Sequence, residues 1–135
     1  TPRATGAPAL SLLGAVFNVA DPERELGFYR DLLGMTLAMK LETGGGTEYM
    51  LRFGADPAAA GLILMHAPGR PAIAHGTGFS RLVLRVGDID ALAARLDAAG
   101  HAHGPVKDAA HGYRMMTLSD PEGYRLELVQ AAQRR

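Results

Sequence analysis

Apolar and polar residues follow a pattern that occurs twice along the chain. The first copy begins with an apolar run over residues 12–19 and continues into a helical pattern that ends near Gly34. The second copy begins with residues 80–86 and continues into a helical pattern that ends near Gly100. The copies are offset by roughly half the chain, which indicates two related modules. Two copies are too few repeats for a solenoid.

Each helical pattern carries start and stop signals. Asp21 and Asp88 are placed as N-caps, and a proline follows the first of them at the first helical position. Gly34 and Gly100 follow the apolar stripes, where a left-handed C-terminal cap is expected. Strand-like runs follow each helix, and the Asp-Pro-Glu-Gly segment at residues 120–123 predicts a tight hairpin turn. The sequence therefore predicts an α+β fold built from two βαβββ modules.

The composition of the chain between these elements sets the expected boundaries. Residues 1–9 are rich in Pro, Gly, Ala and Thr and are expected to form a disordered tail. Residues 10–67 form the first module, and residues 68–78, again rich in Gly, Pro and Ala, form a linker. Residues 79–130 form the second module. The two modules together are expected to make one domain.

Composition and charge exclude several classes of function. Apolar residues make up 47% of the chain, which is enough for a core, and 14 basic residues balance 14 acidic ones. A neutral chain argues against nucleic acid as a partner, and no apolar run is long enough for a membrane helix. The absence of cysteine removes disulfides, thiolate nucleophiles and Cys-ligated metals. A cytoplasmic location is the default expectation, with export after N-terminal processing left open.

Two motifs lie near opposite ends of the chain: the Phe-Tyr-Arg-Asp-Leu-Leu-Gly-Met run at residues 28–35 and the Asp-Pro-Glu-Gly-Tyr-Arg-Leu-Glu-Leu run at residues 120–128. Both resemble motifs of the vicinal oxygen chelate superfamily. The superfamily includes glyoxalase I, methylmalonyl-CoA epimerase, bleomycin- and fosfomycin-resistance proteins and extradiol dioxygenases. The resemblance covers about residues 10–130. It implies that the sheets curl around a concave site and that the protein forms a homodimer.

The resemblance also implies four positions at which related enzymes hold a divalent metal. In this chain those positions fall on Gly14, Leu64, Arg81 and Glu127. Glycine and leucine have no donor atom, and a guanidinium has no lone pair to give. Only Glu127 could act as a ligand, whereas a transition-metal site needs at least three from the protein. We therefore expect no metal in the usual place and no cofactor.

Strand alternation predicts which side chains line the concavity. The inward-facing sets are Gly14, Val16 and Asn18; Glu48, Met50 and Arg52; Leu62, Leu64 and His66; Arg81, Val83 and Arg85; and Arg125, Glu127 and Val129. Arg81 and Glu127 are expected to form an ion pair where the metal would lie. The candidate ligand-binding residues are Arg81, Glu127, His66, Asn18, Met50, Arg52, Leu64 and Val83.

The residues leave more than one function open. The first is a metal-independent protein that binds a small hydrophobic or anionic molecule in the concavity. The second is a lyase or isomerase of the glyoxalase or epimerase type, with Glu127 as a metal-free general base or with a relocated metal, for which His66 is the nearest additional donor. A third is an interaction module whose groove is filled by its own side chains. The Arg81–Glu127 pair could equally be a structural salt bridge that replaced a lost metal.

Overall fold

Two four-stranded sheets, each with a helix packed on one face, make up the part of the chain that this computed structural model describes, namely residue 6 and residues 8–132. The tail expected over residues 1–9 therefore lies largely outside the described residues. No helix in the described ranges is long and apolar enough to cross a membrane. The order of elements confirms the predicted α+β fold of two βαβββ modules.

Module one contains the first four strands and the first helix. Its strands run in the spatial order β1-β4-β3-β2, with β1 and β4 parallel and the other pairs antiparallel. The elements are β1 (Gly14–Asn18), α1 (Pro22–Leu26) with its π-helical continuation (Gly27–Leu32), β2 (Thr36–Thr43), β3 (Gly46–Arg52) and β4 (Gly61–His66).

Module two repeats this arrangement with the strand order β5-β8-β7-β6. Its elements are β5 (Leu82–Arg85), α2 (Ile89–Ala98), β6 (Lys107–Asp108), a 3-10 turn (Ala110–Gly112), β7 (Arg114–Ser119) and β8 (Arg125–Gln130). The first strand-like run after α2, residues 103–107, forms only an isolated bridge from His103 to Leu118 and the start of the two-residue β6. Pro105 explains the interruption, because proline has no N–H to donate to a neighbouring strand.

The predicted caps and the hairpin turn are present. The Asp21 carboxylate accepts the backbone N–H of Arg24 at 3.2 Å, and Asp88 accepts that of Ala91 at 3.0 Å. Gly123 has a φ of 91° and donates its N–H to the Asp120 carbonyl at 3.0 Å. A positive φ favours glycine, so the conformation at the last position of this turn requires that residue.

Contacts between the modules are both apolar and polar. The rings of Phe17 on β1 and Tyr124 beside β8 stack with centroids 4.1 Å apart. The Glu122 carboxylate accepts the backbone N–H groups of Ala20 at 2.6 Å and Asp21 at 2.9 Å. The β7–β8 hairpin of module two therefore caps the entry to α1 in module one. These contacts fix how the two modules pack together.

A cluster of carboxyl groups is buried at this junction. The Tyr29 hydroxyl donates to Asp120 at 2.7 Å, across a sequence separation of 91 residues. Glu25 on α1 is completely buried, and neither of its oxygens has a hydrogen-bond partner in the described part of the chain. Burial, reinforced by the neighbouring Asp120, raises the pKa of Glu25 to about 10. Glu25 is therefore a neutral acid at pH 7.

Candidate functional site

The concave face of each sheet, opposite its helix, carries exposed apolar side chains. Val16 on β1 is 55% exposed, whereas its neighbour Phe17 on the helix-covered face is 4% exposed. Val83 on β5 is 52% exposed and lies between the partly buried Leu82 and Leu84. Strand alternation therefore places Val16 and Val83 in the concavity, as predicted.

The prediction that Leu62, Leu64 and His66 face the concavity is wrong. β1 and β4 pair in parallel with Phe17 opposite Leu64, so these two side chains share the helix-covered face. Leu64 is fully buried there, and Ile63 faces the concavity instead. A shift of one residue along a strand exchanges its two faces, because the side-chain period is two.

The pairing registers of the two modules correspond, which identifies equivalent positions within this chain. In module two Val83 pairs with Glu127, and in module one Val16 pairs with Ile63. Ile63 is therefore the module-one equivalent of Glu127, and it replaces Leu64 as the fourth position of the concave site. Aligning the last strand of each repeat in the sequence would have revealed this equivalence.

Arg81 and Glu127 form the ion pair that the sequence predicts. Arg81 Nε lies 3.2 Å from Glu127 Oε1, and an outer guanidinium nitrogen donates to the Ser80 hydroxyl at 3.0 Å. The Arg81 side chain is 46% exposed, and that of Glu127 is 13% exposed. A half-exposed pair with one contact contributes at most about 1 kcal/mol to folding. The pair places a cation on the concave face with N–H groups still available to a ligand.

Met50 and Arg52 line a separate cavity of about 160 Å³ on the concave face of module one. Met50 pairs with Ile63, and Arg52 pairs with Gly61, so both side chains lie on the predicted face. Met39 on β2 also lines the cavity. Sequence analysis did not identify Met39 as a site residue, because its orientation depends on a bulge between strands.

Asn18 and His66 line a different cavity, of about 200 Å³, where the ends of β1 and β4 meet the linker. The Asn18 side-chain oxygen accepts a hydrogen bond from the Arg70 guanidinium. His66 Nδ1 lies 3.1 Å from the carbonyl oxygen of Val19. His66 therefore does not lie on the predicted concave face of β4, where it would have been a second metal donor beside Glu127.

The donor set of the concave site does not fit a divalent metal. Its four equivalent positions are Gly14, Ile63, Arg81 and Glu127, which together provide one carboxylate. An added Cβ at Gly14 would lie 2.7 Å from the Gly61 carbonyl oxygen, because β1 and β4 approach closely there. No group of three acidic or histidine side chains in the described ranges is placed to hold a metal ion.

Comparison with known proteins places this architecture in a family. The sequence pattern of the glyoxalase/bleomycin resistance protein/dioxygenase superfamily matches residues 11–128. The chain belongs to this superfamily. It is 32% identical over 132 residues to a protein named probable lactoylglutathione lyase from Synechocystis sp., covering 92% of this chain and 98% of that protein.

Two solved structures of the superfamily share the fold. A glyoxalase I mutant from Zea mays matches with a TM-score of 0.81 and 27% identity, covering 90% of this chain and 45% of that chain. An antibiotic binding protein from Streptomyces sp. CB03234 matches with a TM-score of 0.69 and 28% identity, covering 93% of this chain and 100% of that chain. A glyoxalase I and an antibiotic binding protein therefore resemble this chain about equally in sequence, so function depends on the site.

Proposed function

We propose that this superfamily member is a metal-independent binding protein for a small hydrophobic or anionic molecule. The observation that carries the proposal is the Arg81–Glu127 ion pair at the positions where metalloenzymes of the fold place ligands. A Zn²⁺ or similar site needs at least three protein donors, and the four positions equivalent to the metal ligands supply one. The guanidinium provides a fixed positive charge without a metal.

The concave face supplies both parts of such a binding site. Val83 presents apolar surface two residues along the chain from Arg81, and Arg81 presents N–H donors suited to a carboxylate, an enolate or another oxyanion. Ligand pockets are commonly apolar with a few polar groups that orient the ligand. The antibiotic binding relative from Streptomyces is consistent with binding as the activity of this chain.

The test is a thermal-shift screen with hydrophobic carboxylates and their neutral amides. We expect the acids to raise the Tm, and Arg81→Met to reduce this increase. Glu127→Gln should strengthen acid binding several-fold, because it releases Arg81 from its counterion. Asp90→Asn is the matched control, since it breaks an ion pair with Arg114 outside the concavity. Loss of stability in both site variants with no response to any acid would assign the pair a purely structural role.

The second candidate is an enzyme of the lactoylglutathione lyase type. The name of the Synechocystis relative favours it, and Glu127 is the carboxylate that would act as the general base or as a ligand of a relocated metal. Lactoylglutathione lyase assays with and without added Ni²⁺ or Zn²⁺ distinguish the two proposals. Turnover that disappears in Glu127→Gln while the Tm is unchanged would establish the enzyme.

We also propose that two copies of the chain associate through their concave faces. Met39 is 53% exposed and Leu41 is 41% exposed on β2, and Val16 is exposed on β1 at the opposite edge of the same sheet. Covering apolar side chains of this kind is the main driving force for association. We expect a dimer in sedimentation analysis and dissociation in Leu41→Glu. A monomer at all protein concentrations would contradict this proposal.

A further inference from the structure

A β-bulge creates an apolar wall on the concave face of module one. Leu37 pairs with Leu51 and Met39 pairs with Met50, so Ala38 is an extra residue in β2. Without the bulge, alternation would direct Met39 and Leu37 to the same face. With it, Met39 lies beside Met50 and faces the concavity, while the buried Leu51 remains in the core.

This wall encloses the cavity of about 160 Å³ described above. Leu13, Met39, Met50 and Ile63 give it an apolar lining, and Arg52 is its only charged lining residue among those the structure describes. Methionine side chains adapt to ligands of irregular shape and make favourable contacts with aromatic rings.

The Arg52 guanidinium has no ion-pair or hydrogen-bond partner in the described part of the chain, although its residue is half-buried. Gly61, which lies opposite Arg52 on the neighbouring strand β4, adds no side chain to the wall. A partly desolvated cation beside apolar surface is complementary to a ligand that has an anionic end and an apolar body.

The equivalent positions of module two show that this cavity is not a general consequence of the fold. Where module one has Met50 opposite Ile63, module two has Thr117 opposite Glu127. Where module one has Arg52 opposite Gly61, module two has Ser119 opposite Arg125. The combination of methionines, an unpaired arginine and a glycine is therefore particular to module one.

We infer that this cavity is a binding subsite for planar apolar monocarboxylates, with the ring system against Met39 and Met50 and the carboxylate on Arg52. The inference rests on the proposed binding function and adds to it a ligand class and an anion-recognising residue distinct from Arg81. It predicts that the two arginines contribute separately to binding.

The test uses the full chain with ¹³C-methyl-labelled methionine and the probes 2-naphthoate and 2-naphthamide, which differ in charge but little in shape. We expect naphthoate to shift the Met39 and Met50 methyl signals, which are assigned with Met39→Leu and Met50→Leu. The amide should bind at least tenfold more weakly. Arg52→Met should remove this preference, Arg52→Lys should retain part of it, and Arg24→Met, on exposed α1 surface, should leave it unchanged.

Arg81→Met separates this inference from the proposed function. If the subsite exists, this variant changes the Met39 and Met50 titration by less than about twofold. Shifts confined to Met115, which lies on β7 of module two opposite Val129, would overturn the subsite and leave the proposed function intact. The same holds for an acid preference that survives Arg52→Met and disappears in Arg81→Met. An acid preference insensitive to both arginine variants, or no response to naphthoate, would overturn the subsite and remove this support for the proposed function.

Discussion

The buried Glu25 makes a quantitative prediction about stability. The pKa of its carboxyl is 4.5 in the unfolded chain, and burial raises this pKa to about 10 in the folded protein. The folded state therefore retains a proton that the unfolded state releases above pH 4.5. Each pH unit in this range costs about 1.4 kcal/mol of stability, which amounts to about 3 kcal/mol at pH 7.

Glu25→Gln removes this cost, because the amide is neutral in both states and has nearly the shape of the protonated acid. The amide N–H₂ can also donate to the acceptor oxygens of Asp120. We expect the variant to be more stable than the wild type at pH 7 by about 1–3 kcal/mol, and the gain to shrink toward zero at pH 4.5. The assay is urea unfolding followed by circular dichroism at several pH values between 4.5 and 9.

The matched control is Glu23→Gln, which removes a carboxylate from the first turn of the same helix at an exposed position. It should lower stability by only a few tenths of a kcal/mol, through the helix dipole. If Glu25→Gln is destabilising at pH 7, or if its stability relative to the wild type does not change with pH, Glu25 is ionised in the folded protein and the reasoning fails.

Three further predictions concern the junction and the loops. Tyr29→Phe should cost about 1–3 kcal/mol in urea unfolding, because buried Asp120 loses a donor at 2.7 Å; an unchanged midpoint would contradict this. Gly123→Ala should lower stability by about 1–3 kcal/mol, because φ is 91° and the new Cβ would lie 3.0 Å from His75 Nε2; a Tm equal to wild type would show that the turn relaxes. Hydrogen bonds to the Gly104 carbonyl and Asp97 raise the pKa of His103 above 6.5. The stability that protonated His103 contributes is therefore complete below pH 6.5 and is lost as the pH rises through the pKa of the folded protein. NMR titration should give a higher pKa for His103 in the wild type than in Asp97→Asn.

Local features of the fold could be predicted from sequence because their causes are local. An Asp followed by Pro at residues 21 and 22 specifies a helix start, and the turn at Gly123 requires a residue that tolerates positive φ. The repeat also identified the two modules, since each copy carries the same order of signals. The Arg81–Glu127 contact was predicted because the resemblance places both residues at positions that share a metal in related enzymes, and strand alternation puts both on the concave face.

The errors occur where the side-chain pattern does not distinguish the two faces of a strand. β4 contains Leu62, Ile63, Leu64 and Met65, which are apolar on both faces, so alternation alone gave the wrong set for the concavity. The orientation of Met39 depends on a bulge at one residue of β2, and this requires knowledge of the β3 register. The burial of Glu25 depends on the distant β7–β8 hairpin, which helix periodicity cannot indicate.

Titration calorimetry with Ni²⁺ and Zn²⁺ tests most directly whether a cationic side chain stands where related enzymes hold a metal. The protein is first dialysed against a chelator, and Glu127→Gln is titrated alongside the wild type. We predict no stoichiometric binding in either protein, because the four positions equivalent to the metal ligands supply only one carboxylate. One ion bound per chain in the wild type and none in Glu127→Gln would contradict the account.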